Sequence, residues 1–426
     1  MMLPPIHRST SRIGLAALSM IAAQGLVLSG LSAGTLLQEP LAAPEAAPSA
    51  LDFITKAKLT GDFRLRYEFA EQDPLESSNA VTLRSRVGIL TGEYAGFQGF
   101  AEYQGTLAFD RDDYRSGRGD GKGKGKTVIA DPESHELNRL WLSYKGFDSK
   151  IKVGRQRIIL DNARFVGNVG WRQNEQTFDA VTLTNTSLDH LRLYYGYIWH
   201  TQRIFGSEPP ATAAQTDFDG SAHLVNFAYG GVPNATIATY AYFMDLDNEA
   251  GSAQSNNTYG AFIDGGAPMD LLELGYRAEY AFQTNGPDSP LSYEANYYHL
   301  EGSAKLEKNH VAGAGYESLE PQFRTPLATL HAFNGFADRF LVTPPDGLAD
   351  LYVFTGTKLP WEVGFKAIYH WFGSQGGSLE YGSEVDLVLT EAINANVSVL
   401  AKYANYFADE YATDTQQASF EIDLKF

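Results

Sequence analysis

The last nine residues, Ala418-Ser-Phe-Glu-Ile-Asp-Leu-Lys-Phe426, alternate apolar and polar without a break and end on an aromatic side chain. On an extended strand a period of two places Ala418, Phe420, Ile422, Leu424 and Phe426 on one face. Ser419, Glu421, Asp423 and Lys425 then share the other. A chain that closes this way must set one surface of a sheet against an oily environment and the other against a polar one. A soluble sandwich and a membrane barrel both meet that condition, so the remaining sequence has to choose between them.

From Leu59 onward, period-two segments recur to the end of the chain, near 59–69, 81–90, 97–108, 137–146, 150–157, 175–185, 190–200, 219–230 and 234–244. They continue near 256–264, 271–283, 291–300, 303–316, 349–357, 361–372, 382–390, 395–406 and 416–426. That is an even number of strands, about 18, with no helical pattern between them to suggest an alternating βα fold. The connections alternate in length. Tight ones are read at Gly146-Phe-Asp-Ser149, Asn185 to Asp189, Gly231-Val-Pro233, Glu301-Gly302 and Lys358-Leu-Pro360; long ones at 109–136, 158–174, 201–218, 245–255 and 317–348. A sandwich has no reason to alternate strictly, whereas a transmembrane barrel has short periplasmic turns and long extracellular loops. The expected fold is therefore all-β: a transmembrane antiparallel β-barrel over 59–426. Aromatic clusters near the strand ends (Tyr194-Tyr-Gly-Tyr197 with Trp199, Tyr240 to Phe243, Tyr297-Tyr298, Tyr369 with Trp371, Tyr403 to Phe407) suit interfacial girdles.

Composition excludes other classes. After residue 33 no run of 18 apolar residues exists, which rules out a helical membrane protein. Cysteine is absent, so there is no disulfide framework, thiolate chemistry or Cys-ligated metal; no metal or cofactor is expected. Residues 1–33, with His7, Arg8 and Arg12 before an Ala/Leu/Ile-rich stretch, read as an export signal peptide, and the Pro/Ala-rich residues 34–58 as a periplasmic leader. Nine scattered histidines, among them His299, His310, His331 and His370, show no sequence-level partner, so an enzyme is not expected.

Charge is uneven. Sixteen of the 19 arginines precede residue 211, where 24 Lys plus Arg nearly balance 23 Asp plus Glu; beyond it 9 basic residues meet 28 acidic ones. Early arginines fall at i, i+2, on one strand face. Arg64 and Arg66 oppose Phe63, Leu65 and Tyr67; Arg84 and Arg86 oppose Leu83 and Val87; Arg139 opposes Leu140, Leu142 and Tyr144. An arginine facing lipid at mid-bilayer costs about 2–4 kcal/mol, so these side chains are expected to face the lumen. Arg155 and Arg157 break the phase by falling with Ile151 and Val153, a conflict that a bulge at Gly154 or a strand end at the interface would resolve. Lumenal arginines can select anions, or they can pair with carboxylates such as Glu68, Glu102, Glu279, Glu384 and Asp386 and knit the wall or set up a transverse field. The basic, Gly-rich stretch Arg115 to Lys126 should be a flexible external loop or a gate at the mouth. It is no phosphate loop, because Gly125-Lys-Thr127 lacks the preceding spacing and following helix. The segment Ile158 to Gln173, with Arg164, Trp171 and Arg172 among small residues, is a candidate to enter and narrow the barrel.

Val153-Gly-Arg-Gln-Arg-Ile158 and the run Asn162-Ala-Arg-Phe-Val-Gly-Asn-Val-Gly-Trp-Arg-Gln-Asn-Glu-Gln-Thr-Phe-Asp-Ala180 resemble the alginate-export family of outer-membrane barrels. Gly61-Asp-Phe-Arg-Leu-Arg-Tyr67 and Asn138-Arg-Leu-Trp-Leu-Ser-Tyr144 are similar to it as well. The resemblance implies an eighteen-stranded barrel in the Gram-negative outer membrane with an arginine-rich, anion-selective constriction through which a polyuronate passes. It places Arg66, Arg84, Arg86, Arg139 and Arg155 at that constriction, with Arg64, Arg157 and Arg172 beside them. The acidic second half departs from this pattern toward a general or sugar-specific uptake porin, with a structural or adhesive barrel as a further alternative. The expected partners are an anionic saccharide or small anionic solutes, outer-membrane lipid and lipopolysaccharide, and the barrel-assembly machinery. Nucleic acid is not among them, and the barrel is expected to be a monomer.

Overall fold

The computed structural model describes residues 49–206, 217–247, 251–269, 272–306 and 310–426; the expected signal peptide and most of the leader lie outside them. A helical turn, α1 Asp52–Thr55, precedes the first strand and is tied to the barrel by the Gly92 N–H, which donates to the Phe53 carbonyl at 3.1 Å.

Eighteen strands follow in chain order. They are β1 Lys58–Gln72, β2 Ser78–Leu90, β3 Phe97–Ala108, β4 Ser134–Gly146, β5 Ser149–Gln156 and β6 Thr177–Leu188. Then come β7 Leu191–Gln202, β8 Asp217–Val232, β9 Ala235–Leu246, β10 Asn256–Pro268, β11 Leu272–Asn285 and β12 Glu294–Leu306. The last are β13 His310–Leu319, β14 Leu348–Lys358, β15 Gly364–Gly373, β16 Glu380–Ala392, β17 Val397–Ala408 and β18 Thr415–Lys425. Each pairs antiparallel with its chain neighbours, and β1 pairs with β18 from Asp62↔Lys425 to Gln72↔Thr415, which closes the cylinder. Closure leaves no edge strand, so every strand finds two hydrogen-bonding neighbours.

Alternation decides what each face meets. On β18, Phe420, Ile422 and Leu424 are exposed outward, whereas Ser419, Glu421 and Asp423 are buried toward the lumen. The aromatic clusters are split by the same period. Tyr195, Trp199, Phe243, Tyr298, Trp371 and Phe407 lie on the outer surface, while Tyr194, Tyr240, Tyr242, Tyr297 and Tyr406 are buried inside against the loops. Only the first set belongs to an external girdle.

Two expectations are corrected, and one choice left open by the sequence, at Gly154, is narrowed. Glu301-Gly302 is not a turn: both residues lie within β12, Glu301 opposite Arg277 and Gly302 opposite Tyr276, so the hairpin reverses after Leu306. Glycine there weakens the alternation without breaking the ladder. No bulge occurs at Gly154. Its φ of +115° is absorbed with the β4–β5 and β5–β6 registers unbroken. The Gly-rich loop is neither a free external coil nor unpacked. Thr127 N–H donates to Glu76 O at 2.8 Å, Ile129 N–H to Arg115 O at 2.9 Å, and Tyr114 and Ile129 pack with Ala70 and Ala80.

Candidate lumenal constriction

The lumen is filled chiefly by two long connections. Residues 157–176 between β5 and β6 turn inward, and Phe165, Val166, Trp171 and all residues from Arg172 to Gln176 are buried. Residues 320–347 between β13 and β14 also enter, burying Phe323, Leu327, His331, Asn334, Phe336 and Phe340. The two loops bind each other: Gly167 N–H donates to Leu327 O at 2.8 Å, Thr329 N–H to Ala163 O at 3.0 Å, and the Gln176 side-chain amide to both Gly167 O and Leu327 O. Entry of the first loop was legible in its Gly, Asn and Arg content. The second was missed, although its signal is present. Between residues 323 and 340 the chain carries Phe323, Leu327, Leu330, Phe333, Phe336 and Phe340, more apolar surface than a water-facing loop can leave exposed.

Arginines from β1 and β2 meet these loops at mid-barrel. Arg64 and Arg84 stand directly opposite across the strand pair, a like-charge juxtaposition that needs counter-ions. Arg64 Nε donates to Asp423 at 3.1 Å and its Nη1 to the Trp171 carbonyl at 3.0 Å. Arg66 reaches Glu421 at 2.6 Å and Asp131 at 2.8 Å; Asp131 is brought in by the connection between β3 and β4. Arg84 pairs with Asp62, and Arg86 Nε donates to Gln104 while its Nη1 lies 3.6 Å from Glu175. Three donor positions here, Arg84 Nε and Nη1 and Arg86 Nη1, are buried without a hydrogen-bond partner.

The other predicted arginines divide. Arg139 faces inward at a β-bulge and forms a bidentate pair with Glu102, its guanidinium 4.6 Å from the Phe100 ring centroid. Arg157, just past β5, binds Glu175 through two bonds of 2.7 Å. Arg172 spans Glu68 at 3.0 Å and Asp338 at 3.2 Å, so it joins one loop to the wall and to the other loop. Arg155 does not join the cluster. With the register unbroken it stands opposite Leu140, which is exposed on the outer face, and it pairs with Asp179 at 2.7 Å. Its bidentate pair with Asp179 neutralises it, which reduces the cost of a charge on the outer face.

Several residues with no predicted role complete the site. Glu175 gathers Arg157, Asn138 and Asn168. Burial opposes its charge, but Arg157, Arg86 and Arg139 prevail and hold the carboxyl well below the usual carboxylate range. His331 stacks on Trp171 with ring centroids 3.5 Å apart and an interplanar angle of 6°. Burial lowers its pKa to about 4, so the neutral ring donates through Nδ1 to Asp338 at 2.8 Å and accepts at Nε2 from Lys402 at 3.2 Å. Arg66, Arg172 and Lys402 all lie within 5 Å of the Trp171 ring centroid.

Beyond β17 and β18 from the arginine lane, the lumenal wall is acidic. Glu317 (β13), Asp350 (β14), Glu384 and Asp386 (β16) are buried around His370 (β15). Arg164 donates to Glu317 at 2.6 Å, His370 bonds Asp350 at 2.9 Å, and the backbone N–H groups of Phe336 and Ala337 donate to Asp386 and Glu384 at 3.2 and 2.7 Å. At Gly335, φ +87°, a Cβ would lie 2.4 Å from the Glu384 carboxylate, so only glycine lets the loop tip approach this wall. His299, His331 and His370 all have polar partners, contrary to the impression from sequence spacing.

A family model described as alginate export matches residues 55–328. No curated protein matches the sequence. Among solved structures, OccAB4 of Acinetobacter baumannii superimposes with a TM-score of 0.68 at 11% identity, covering 87% of this chain and 98% of that one. OccAB2 of the same organism gives 0.67 at 13% identity, covering 88% and 99%. OccK11 (OpdR) of Pseudomonas aeruginosa gives 0.65 at 12%, covering 88% and 97%. At these identities the likeness is one of fold. The family match covers more than half of the chain, and with the closed eighteen-stranded barrel it establishes that this protein belongs to the alginate export family, as a non-enzymatic channel of the Gram-negative outer membrane.

Proposed function

We propose that the channel passes anionic solutes, of which uronate-bearing oligosaccharides or polysaccharide are the best chemical fit, along the arginine lane of β1 and β2. The observation that carries this reading is the set of unpartnered guanidinium donors on Arg84 and Arg86. A buried donor without an acceptor costs about 1–3 kcal/mol, and a passing carboxylate supplies the missing acceptor. Planar guanidinium forks suit carboxylates better than point charges do. The remaining arginines, Arg64, Arg66, Arg139, Arg157 and Arg172, are held by carboxylates and act as a charged scaffold that fixes the lane.

A second reading, a sugar-specific or general porin with a transverse field, is favoured by the acidic arc of Glu317, Asp350, Glu384 and Asp386, set apart from the basic arc of β1 and β2. Reversal potentials in a salt gradient separate the two. The anion lane requires chloride preference in the native protein and a clear loss of it in Arg84→Gln/Arg86→Gln. Selectivity indifferent to that double substitution would leave the transverse-field porin.

A further inference from the structure

Beneath the 157–176 loop, on the periplasmic side of the constriction, a cavity of about 160 Å3 opens between β5, β6 and β7. Alternation on β5 sends Ile151 and Val153 outward, where both are exposed, and turns Lys150 and Lys152 toward the lumen and this cavity. Neither lysine forms an ion pair among the described residues, in contrast to the arginines above them. The ammonium of Lys152 has only the face of Trp141, 4.8 Å from its ring centroid. Thr182 and Thr184 stand beside them on β6, paired with Lys152 and Lys150, and the hydroxyl of Tyr194, a residue only 9% exposed, is buried at the cavity without a hydrogen-bond partner. Ile158, Ile159 and Leu160 supply an apolar roof.

These features describe a ligand. Two unneutralised ammonium groups call for a carboxylate, the orphan phenol and the threonines for hydroxyl groups, and the apolar roof for a ring face. A water's share of liquid volume is about 30 Å3, so the cavity holds roughly five waters, about the room taken by one sugar-acid ring. We propose that this cavity is a binding station for a single carboxylate-bearing sugar unit at the periplasmic mouth, with Lys150 and Lys152 on the carboxylate and Tyr194 and Thr184 on the hydroxyls. It rests on the anion-lane reading, to which it adds a substrate class and a second site. Arg157, already committed to Glu175, forms the boundary between station and constriction.

The test is block of single-channel current in the full-length protein by a galacturonate trimer added on the periplasmic side. Folding of each variant is confirmed by heat-modifiable migration. Charge-assisted bonds of ordinary strength make the half-blocking concentration rise about tenfold in Lys150→Gln/Lys152→Gln and about threefold in Tyr194→Phe. An uncharged trimer of equal size should block the native channel and the lysine variant alike. An anion-selective channel whose block by the galacturonate trimer is the same with and without the lysines overturns the station and leaves the lane standing. A channel that is cation-selective, yet loses its block when the lysines are replaced, overturns the lane and keeps the station.

Discussion

The basic and acidic arcs of the lumenal wall are both buried, both charged and built by the same alternation, yet they are satisfied in different ways. Arginines of β1 and β2 are met by carboxylates from adjacent strands and by loop carbonyls. Carboxylates of β13, β14 and β16 are met by backbone N–H groups at the tip of the 320–347 loop, by Arg164 and by His370. Each wall keeps unmatched groups, Arg84 and Arg86 donors on one side and Glu384 Oε2 and Asp386 Oδ1 acceptors on the other. The difference shows how a barrel converts sequence into geometry. Chain order is angular order around the cylinder, so a chain that is basic early and acidic late becomes a lumen with a basic arc and an acidic arc.

The comparison breaks most visibly if the loop between the walls is removed. Replacing residues 327–340 by a short Gly/Ser segment should raise single-channel conductance several-fold, because that loop fills the lumen beside Trp171; an unchanged conductance would mean that ions already bypass it. Next in size, Glu384→Gln/Asp386→Asn and Arg84→Gln/Arg86→Gln should shift the reversal potential in opposite directions, and shifts of the same sign would deny that both arcs line the conducting path.

Glu175→Gln removes the charge that holds Arg157 and faces Arg86. Breaking a buried pair on one side costs about 3–5 kcal/mol, read as a lower midpoint of urea unfolding in detergent.

A smaller, pH-dependent effect sharpens the role of the latch between the loops. The groups facing His331 are Asp338, Lys402 and Arg172, and burial holds its ring neutral down to about pH 4, against 6.5 when free. The withdrawn loop therefore binds a proton first as pH falls. The latch is at full strength above about pH 6.5 and loses up to roughly 3 kcal/mol between there and pH 4. Open probability should climb over that window and lose this dependence in His331→Gln. Smallest of all, Arg155→Gln should leave selectivity unchanged, since this residue lies outside the lumen; a shift in reversal potential would return it to the constriction.

Much of this was readable in the chain. Strand number, loop alternation and the inward face of Arg64, Arg66, Arg84, Arg86 and Arg139 all follow from a period of two set against the cost of charge in lipid, which are local rules. Glu301-Gly302 misled because glycine marks turns more often than strand interiors, and Arg155 because one glycine with positive φ can either shift a register or be absorbed. The choice depended on neighbouring strands.

The sequence by itself determined a closed cylinder with a basic arc and an acidic arc, since alternation and strand order need no knowledge of distant contacts. Only the tertiary structure decided which charges are neutralised, that Asp131, Glu175 and Asp338 come from three different loops to meet the arginines, and that Lys150 and Lys152 have no ion-pair partner among the described residues. The physical reason is that ion pairing depends on distances of a few ångströms between residues far apart in the chain, and those are set by how the loops fold into the lumen.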